Sequence, residues 1–429
     1  MRKTIADHKK CRYDEDFEEF NVTVNLQSPN DAVNSNTRIL TLLAFPPVFF
    51  IFFPYLTTIP SGSDTQPNAI VLSSLFLLFF VILNRGNIRF TIPLGILFFI
   101  YGYSIFISLI LDSFNIRSIV GYGSLAIMSF STYLMVKRGL FQPRWLIYFI
   151  WIWLIVALIQ QFVSLDFGNN LLIRSTLLDI GKRGVYSLAT EPSFYGTMCI
   201  YMFMVLDILW RNNYLPRKIG IRYQVLLLAQ ALILAQSFTA VTLFSVYLGA
   251  AVISRFSFKH ISRAVAIIAI IFYIVVSIQY FQNTRIMGLI NLLSRTPTLL
   301  LERDESSRDR AYSIYAPLYG FYESLPLAYG HGTESYTDFL LEHADISSKL
   351  TFGAIHNGRI MSGMGSAFFE LGFVGAMIPF LILYSFRWPR NHDMFVIGVF
   401  ICVSMFAATP LAFPPLAFCL GLSEALRAR

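Results

Sequence analysis

Charge is what this chain lacks. Only 14% of its 429 residues are Asp, Glu, Lys or Arg, where an ordinary soluble chain carries about 25%. That shortfall argues against a water-facing globular enzyme. Cysteine is nearly absent too. Of four, Cys11 lies in a polar leading stretch and Cys199, Cys402 and Cys419 lie in apolar runs. No disulfide framework is therefore expected, and no Cys/His spacing fits a metal. The sequence has no G-x-x-x-x-G-K-[ST], so it carries no phosphate loop for an ATP engine. No apolar run closely follows the start, so no cleaved signal peptide is expected.

What is abundant is apolar surface, which excludes intrinsic disorder. Hydrophobic residues make up 55% and aromatics 16%, with 41 Phe and 22 Tyr, and the mean hydropathy is +0.60. At about 20 residues per spanning helix, this supplies roughly twelve spans. Apolar stretches fall at 39–57, 69–84, 90–111, 118–136, 145–164, 193–210, 223–237, 239–254, 264–282, 364–386, 394–408 and 410–426. Pro410, Pro414 and Pro415 leave open whether the last two are one kinked element, and the boundary near Gln236 to Thr239 is soft. The expected fold is an all-α polytopic membrane protein with about twelve, ten to twelve, transmembrane helices.

Placement of Lys and Arg orients the spans. With a cytoplasmic N-terminus, the short inner loops and C-terminal end carry sixteen, among them Arg85, Lys137, Arg217, Lys259, Arg387 and Arg427. The short outer loops carry only Arg117. Both termini are thus expected inside. Residues 1–38 read as a disordered cytoplasmic tail, and 39–429 as one transmembrane domain. The net charge of +8 is explained by these inner positives, so no nucleic-acid partner is expected.

Two outer loops, 165–192 and 283–363, are long enough to demand a purpose. Of the 33 Lys and Arg, six lie in the tail and ten in these two loops, including Arg174, Arg183, Arg308 and Arg310, with three of the six histidines (His331, His343, His356) in the second loop. Leu171–Ile180 and Ile286–Leu301 read as amphipathic helices on the membrane surface. A dense charge run, Glu302 to Arg310, leads into Ala311–Gly320. Solvation of a long loop accounts for such charges equally well. Clustered guanidiniums at an outer membrane face also suit an anionic lipid-linked substrate, because their fixed fork matches pyrophosphate oxygens. The spacing Arg174-x9-Gly184 recurs as Arg310-x9-Gly320.

Three segments carry a family resemblance. They are Arg183-Gly-Val-Tyr-Ser-Leu-Ala-Thr-Glu-Pro-Ser193, the stretch from Arg308 to Gly332, and His356-Asn357 followed by Phe368-Phe-Glu-Leu-Gly-Phe-Val-Gly375. Together with the topology they resemble the Wzy-type polysaccharide polymerases and their relatives, the O-antigen ligases. The chain departs from both patterns. Polymerases are described with ten residues between Arg and Gly, and here there are nine. Ligases place His-Asn closer to Gly-x-x-Gly than the fourteen residues separating Asn357 from Gly372. The Glu-Pro-Ser element leans toward polymerase.

The resemblance implies a GT-C-like fold in a bacterial inner membrane. It implies transfer of a glycan from undecaprenyl pyrophosphate to a sugar hydroxyl of a new lipid-linked repeat unit, without metal or other cofactor. A chain-length regulator and a flippase are the implied protein partners. Stabilising the leaving pyrophosphate falls to Arg183, Arg310 and Arg308, with Arg174 next. His356, Glu191 and His331 are the candidates for activating or positioning the acceptor hydroxyl. Each has a plainer reading. Glu191 with Pro192 also makes a helix start, Gly330-His331-Gly332 also makes a turn, and His356 also bonds as a loop histidine. Glu370, in an apolar run, must be paired or line a cavity, and cavity-lining is the reading preferred from sequence. A ligase, or a flippase moving the same lipid without chemistry, are the alternatives. A flippase should carry broken helices or charges near mid-membrane in both halves. Asp207 and Glu370 are instead both nearer a span end.

Overall fold

Proline and asparagine set where the first long helices begin. A computed structural model of the chain describes residues 35–57, 67–83, 90–172, 184–255, 305–343, 360–388, 392–407 and 409–427. The helices α1 (Ser35–Phe52), α2 (Asn68–Leu83), α3 (Ile92–Ile110), α4 (Ile116–Lys137), α5 (Pro143–Phe162) and α6 (Pro192–Arg211) follow in order. Pro93, Pro143 and Pro192 occupy the first turns of α3, α5 and α6, where a missing N–H costs nothing. Asn115 caps α4, its side chain accepting from the Ser118 N–H at 3.1 Å.

The chain continues through α7 (Arg217–Ala229), extended by a π-helical turn at Gln230–Leu234, and α8 (Phe238–Arg255). Then come α9 (Glu305–Ser324), α10 (Gly332–Glu342), α11 (Gly363–Leu371), α12 (Met377–Phe386), α13 (His392–Ala407) and α14 (Pro414–Arg427). An isolated antiparallel bridge joins Leu56 and Leu172. The protein is all-helical among the described residues, and α3, α4, α5 and α6 are each long and apolar enough to cross a membrane. Residues 1–34 of the tail, the expected span 264–282 and the amphipathic stretch 286–301 lie outside the described residues, as does nearly all of the one at 171–180, while the last four residues of the expected disordered tail, from Ser35, are helical in α1.

Two boundaries left soft by the sequence resolve into separate helices, and one expected span is bent. The soft junction near Gln236 is a real break, with Gln236 at φ +47° and α8 starting behind Ser237, whose Oγ accepts from the Ala240 N–H at 3.1 Å. The last two apolar stretches are separate helices, α13 and α14, divided around Pro410. The expected single span 364–386 is bent by 105° between α11 and α12. Glycine makes that bend. Gly372 has φ +57°, and a Cβ there would lie 2.5 Å from the Leu327 backbone, while one on Gly375 would lie 2.0 Å from the Ala367 carbonyl.

Burial sorts the helices into a centre and a rim. The long apolar helices α4 and α6 are mostly buried, whereas α3 and α5 turn Phe99, Phe106, Leu109, Trp151 and Ile155 outward. A soluble protein would not expose such a belt; lipid tolerates it. α14 packs closely on α4 because Gly421 lets the backbones meet: a Cβ there would sit 2.2 Å from the Ser129 carbonyl. Small residues at helix contacts are the usual device where lipid removes the hydrophobic drive between helices.

The two ends of the bundle differ chemically. Lys137, Arg138, Arg211, Arg217 and Arg427 stand at one end, all five over aromatic rings: Lys137 over Tyr133, Arg138 over Phe80, Arg211 and Arg217 over Trp210, and Arg427 over Tyr384. There Arg211 joins Asp207 at 2.7 Å and reaches Asp393 of α13. Asp207 also accepts from Tyr247 at 3.0 Å and Gln224 at 3.3 Å. A buried carboxylate so surrounded ties α6, α7, α8 and α13 together and is consumed by structure. The opposite end holds the termini of α6, α8, α10 and α11 on which the sequence places its candidate site residues.

Candidate functional site

Residues 184–191, expected as part of an outer loop, form a buried plug. Val185, Tyr186, Ser187, Leu188 and Ala189 are all buried. The Val185 N–H donates to the Leu234 carbonyl at 2.9 Å, using a carbonyl that the π-helical turn leaves available. Gln160 of α5 grips Ser187 twice, accepting from its N–H at 2.6 Å and donating to its carbonyl at 2.9 Å. Gly184 is required here, since a Cβ would lie 2.3 Å from the Leu234 carbonyl. The plug delivers Glu191 to the start of α6. Its carbonyl accepts from the Phe194 and Tyr195 N–H groups, both at 3.1 Å, and its carboxylate accepts from the Ser193 hydroxyl at 3.1 Å. The helix-start reading of Glu191 is realised by its backbone, leaving the side chain at the mouth of the bundle.

Arg310 reaches the start of α8, its guanidinium donating to the Thr239 hydroxyl. Thr239 lies two residues beyond the Ser237 cap, and Ser237 packs on Gly196 of α6, where a Cβ would lie 2.5 Å from that of Ser237. Arg310 therefore stands beside the first turn of α8, whose start packs on α6. That turn carries positive partial charge, so a guanidinium added there builds an anion-attracting region rather than neutralising one. Gly320, the partner of Arg310 in the repeated spacing, makes room for the Phe369 ring, from which a Cβ would lie 2.8 Å. Gly184 serves a backbone contact instead, so the two repeats fulfil different structural tasks.

A second polar group forms where α10 meets α4 and α11. The Glu370 carboxylate accepts from the Ser118 hydroxyl, from the Tyr122 hydroxyl at 2.8 Å and from the Gly332 N–H at 3.0 Å. It is paired rather than cavity-lining. As Gly332 is the first residue of α10 and His331 provides no side-chain cap, Glu370 caps that helix from a neighbouring one. The glycines around His331 also serve the chain itself: Gly332, at φ +77°, presses against the Asn115 side chain, and Gly330 against Ser335. The His331 N–H donates to the Ser113 hydroxyl at 3.3 Å.

The His331 ring is 2% exposed and neither nitrogen has a hydrogen-bond partner. Burial pushes its pKa down to about 4 from an ordinary 6.5. A folded-state pKa below the unfolded one means that acid favours unfolding. Stability is fully present above pH 6.5 and is lost as pH falls toward 4, by about 3 kcal/mol. Thermal unfolding in detergent should show this acid limb, and His331→Asn should flatten it. An unaltered limb in the variant would refute the assignment.

Above α11 lies a small aromatic core of its own. Tyr336, Phe339, Leu340, Ala316 and Phe369 are buried together, with Tyr312, Tyr319 and Tyr329 packed around them. His343 closes it, its Nε2 2.9 Å from the Glu323 carboxylate and its Nδ1 3.0 Å from the Phe339 carbonyl. This core fastens α9 and α10, and so Arg308, Arg310 and His331, to the bundle.

The structure thus brings Arg310 to Thr239 near the start of α6, and His331 to Glu370 beside α4. Arg308 lies half-buried near the start of α9. Arg174, Arg183 and His356 lie outside the described residues. Sequence reasoning missed Thr239, Ser118, Tyr122 and Ser113. The spacing of Ser118 and Tyr122, one turn apart on one face of α4, was the available signal for a buried polar partner. Among the described residues no group of three His, Cys, Asp or Glu side chains is placed to hold a metal. Comparison of the chain with protein-family profiles, with curated proteins and with solved structures finds no match.

Proposed function

We propose that this protein is a membrane glycosyltransferase of the Wzy-polymerase kind, with about twelve spans and a GT-C-like fold. It would join pyrophosphate-lipid-linked oligosaccharide repeat units at the outer face of a bacterial inner membrane, with both termini inside. The observation that carries the reading is Arg310, held at the positive end of α8. A developing pyrophosphate charge gains most from cations and helix termini already in place. Arg308 would add to this cationic region, as would Arg183 and Arg174, which lie outside the described residues. Glu191, at the start of α6, and His331 and His356 from the second loop are the groups for the acceptor hydroxyl. Neutral imidazole is the form that accepts a proton. Burial of His331 favours that form, and Glu370 positions it through the adjoining Gly332.

The flippase alternative draws some support from the bend between α11 and α12. Against it, the intramembrane carboxylate Asp207 is engaged in an ion network at one end of the bundle. A ligase would use the same donor site and differ in its acceptor.

Full-length protein reconstituted with lipid-pyrophosphate-linked repeat units should yield glycan ladders without nucleotide or divalent metal. Strict dependence on either would sink the mechanism. A single transfer to a different lipid acceptor, with no ladder, would point to the ligase.

A further inference from the structure

One face of α9 carries a stripe of phenols that runs on from Arg308. Positions 308, 312, 315, 319 and 322 are Arg, Tyr, Tyr, Tyr and Tyr. At 3.6 residues per turn they fall within an arc of about 80°. The residues that α9 buries, Ser313, Ala316, Pro317 and Gly320, lie on a different flank. Three of them meet α11, Ser313 and Pro317 near Gly365 and Gly320 against Phe369.

The tyrosine rings are ordered against one another. Tyr315 and Tyr319 stack with centroids 6.4 Å apart and planes 14° apart. Tyr319 is braced from the side by Phe339 and His343. Tyr315 is 47% exposed and Tyr322 73% exposed. The lipid-facing sides of α3 and α5 are dominated by Phe, Leu and Ile, whereas this stripe is built of phenols. A ring that offers an apolar face and a hydroxyl rim suits a pyranose, which offers a C–H face and a hydroxyl rim in return. Successive helical turns, about 5.4 Å apart, are close to the length of one pyranose along a glycan. The stripe also has a polarity, since it starts at Arg308, a cation fit for phosphate.

We propose that the tyrosine stripe of α9 is the docking track for the saccharide part of the pyrophosphate-linked glycan, with Arg308 at its phosphate end. The occupant is an oligosaccharide, fixed by the continuity of the stripe with the cationic region around Arg308 and Arg310. The inference rests on the polymerase reading. It adds that the track retains growing chains, so that its loss shortens products more than it slows coupling.

The test uses the full chain in lipid vesicles with the host's own lipid-pyrophosphate-linked repeat unit. The readout is the ratio of long products to the first dimer. The pair Tyr315→Ser and Tyr322→Ser should lower that ratio about threefold for each ring removed, whereas Tyr315→Phe with Tyr322→Phe should keep it. Both positions are exposed, so neither change disturbs the core. A serine pair with the wild-type ratio overturns the proposal. So does a serine pair whose oligomeric mass or retention in the vesicle changes, which would reveal a protein or lipid occupant instead. Wild-type protein that makes no ladder at all overturns the polymerase reading itself, a separate result.

Discussion

Arg310→Ala is expected to lower the rate of ladder formation by about 10²- to 10³-fold, the usual loss when a pre-positioned charge-stabilising donor is removed. Position explains the size of the effect. Arg310 is held by Thr239 two residues inside α8, and the start of α8 packs on α6 through Ser237 and Gly196. The guanidinium is thus placed before substrate arrives and need not reorganise as charge develops. Arg310→Lys should recover only part of the activity, because a point charge cannot reproduce a planar fork. Thr239→Val removes the anchor and keeps the cation, so its loss should be near one ordinary hydrogen bond, about 1 kcal/mol or fivefold. Rates of dimer formation from saturating lipid-linked repeat unit, compared across the three variants, check this order. Equal rates in Arg310→Ala and wild type would remove Arg310 from the site.

Glu370→Ala should be the most damaging change to stability among the residues described. The carboxylate satisfies two hydroxyls of α4 and the first N–H of α10. Removing it strands three donors in a buried place, at about 1 to 3 kcal/mol for each donor that finds no other partner. The melting temperature in detergent should fall most for Glu370→Ala and less for Glu370→Gln, whose amide oxygen still accepts. Activity should follow a different order. Because Glu370 holds the helix end that presents His331, Glu370→Gln should lose coupling rate at temperatures where it remains folded. Its apparent substrate affinity should change less. Wild-type melting of Glu370→Ala would show that the α4–α11 junction is not held by this residue. A Glu370→Gln variant that folds and couples at the wild-type rate would separate the cap from the chemistry.

Much of the architecture was legible because it depends on local composition. An apolar run of about 20 residues has few options other than a helix, and Pro93, Pro143 and Pro192 mark their starts through a geometry that needs no tertiary partner. The gathering of Lys and Arg at one set of helix ends was read from the loops and is visible in Arg138, Arg211, Arg217 and Arg427. The bend after Leu371 was not anticipated. Gly372 and Gly375 sit in an unbroken apolar run, and only the approach of Leu327 from the second loop requires the positive φ that Gly372 adopts. The plug at 184–191 was also missed, since Val185, Tyr186 and Leu188 read as loop residues until Gln160 and the π-helical turn supply their backbone partners.

The residues of the candidate site divide along the same line. Sequence alone determined which residue types were scarce, and therefore conspicuous: outer-face arginines gathered in two loops, three of the six histidines in the second, and isolated carboxylates such as Asp207 and Glu370 within apolar runs. Desolvation makes such residues costly, so their presence already called for a partner or a purpose. Which of the two applied was decided only by tertiary structure. Asp207 met Arg211, Tyr247 and Gln224 and became a structural tie. Glu370 met Ser118, Tyr122 and Gly332 and became the cap of α10. Arg310 met Thr239 at the start of α8, and the His331 ring was buried with nothing to bond. A side chain's chemistry is written in the sequence, but its partners come from segments up to 252 residues away, and only folding brings them within bonding distance.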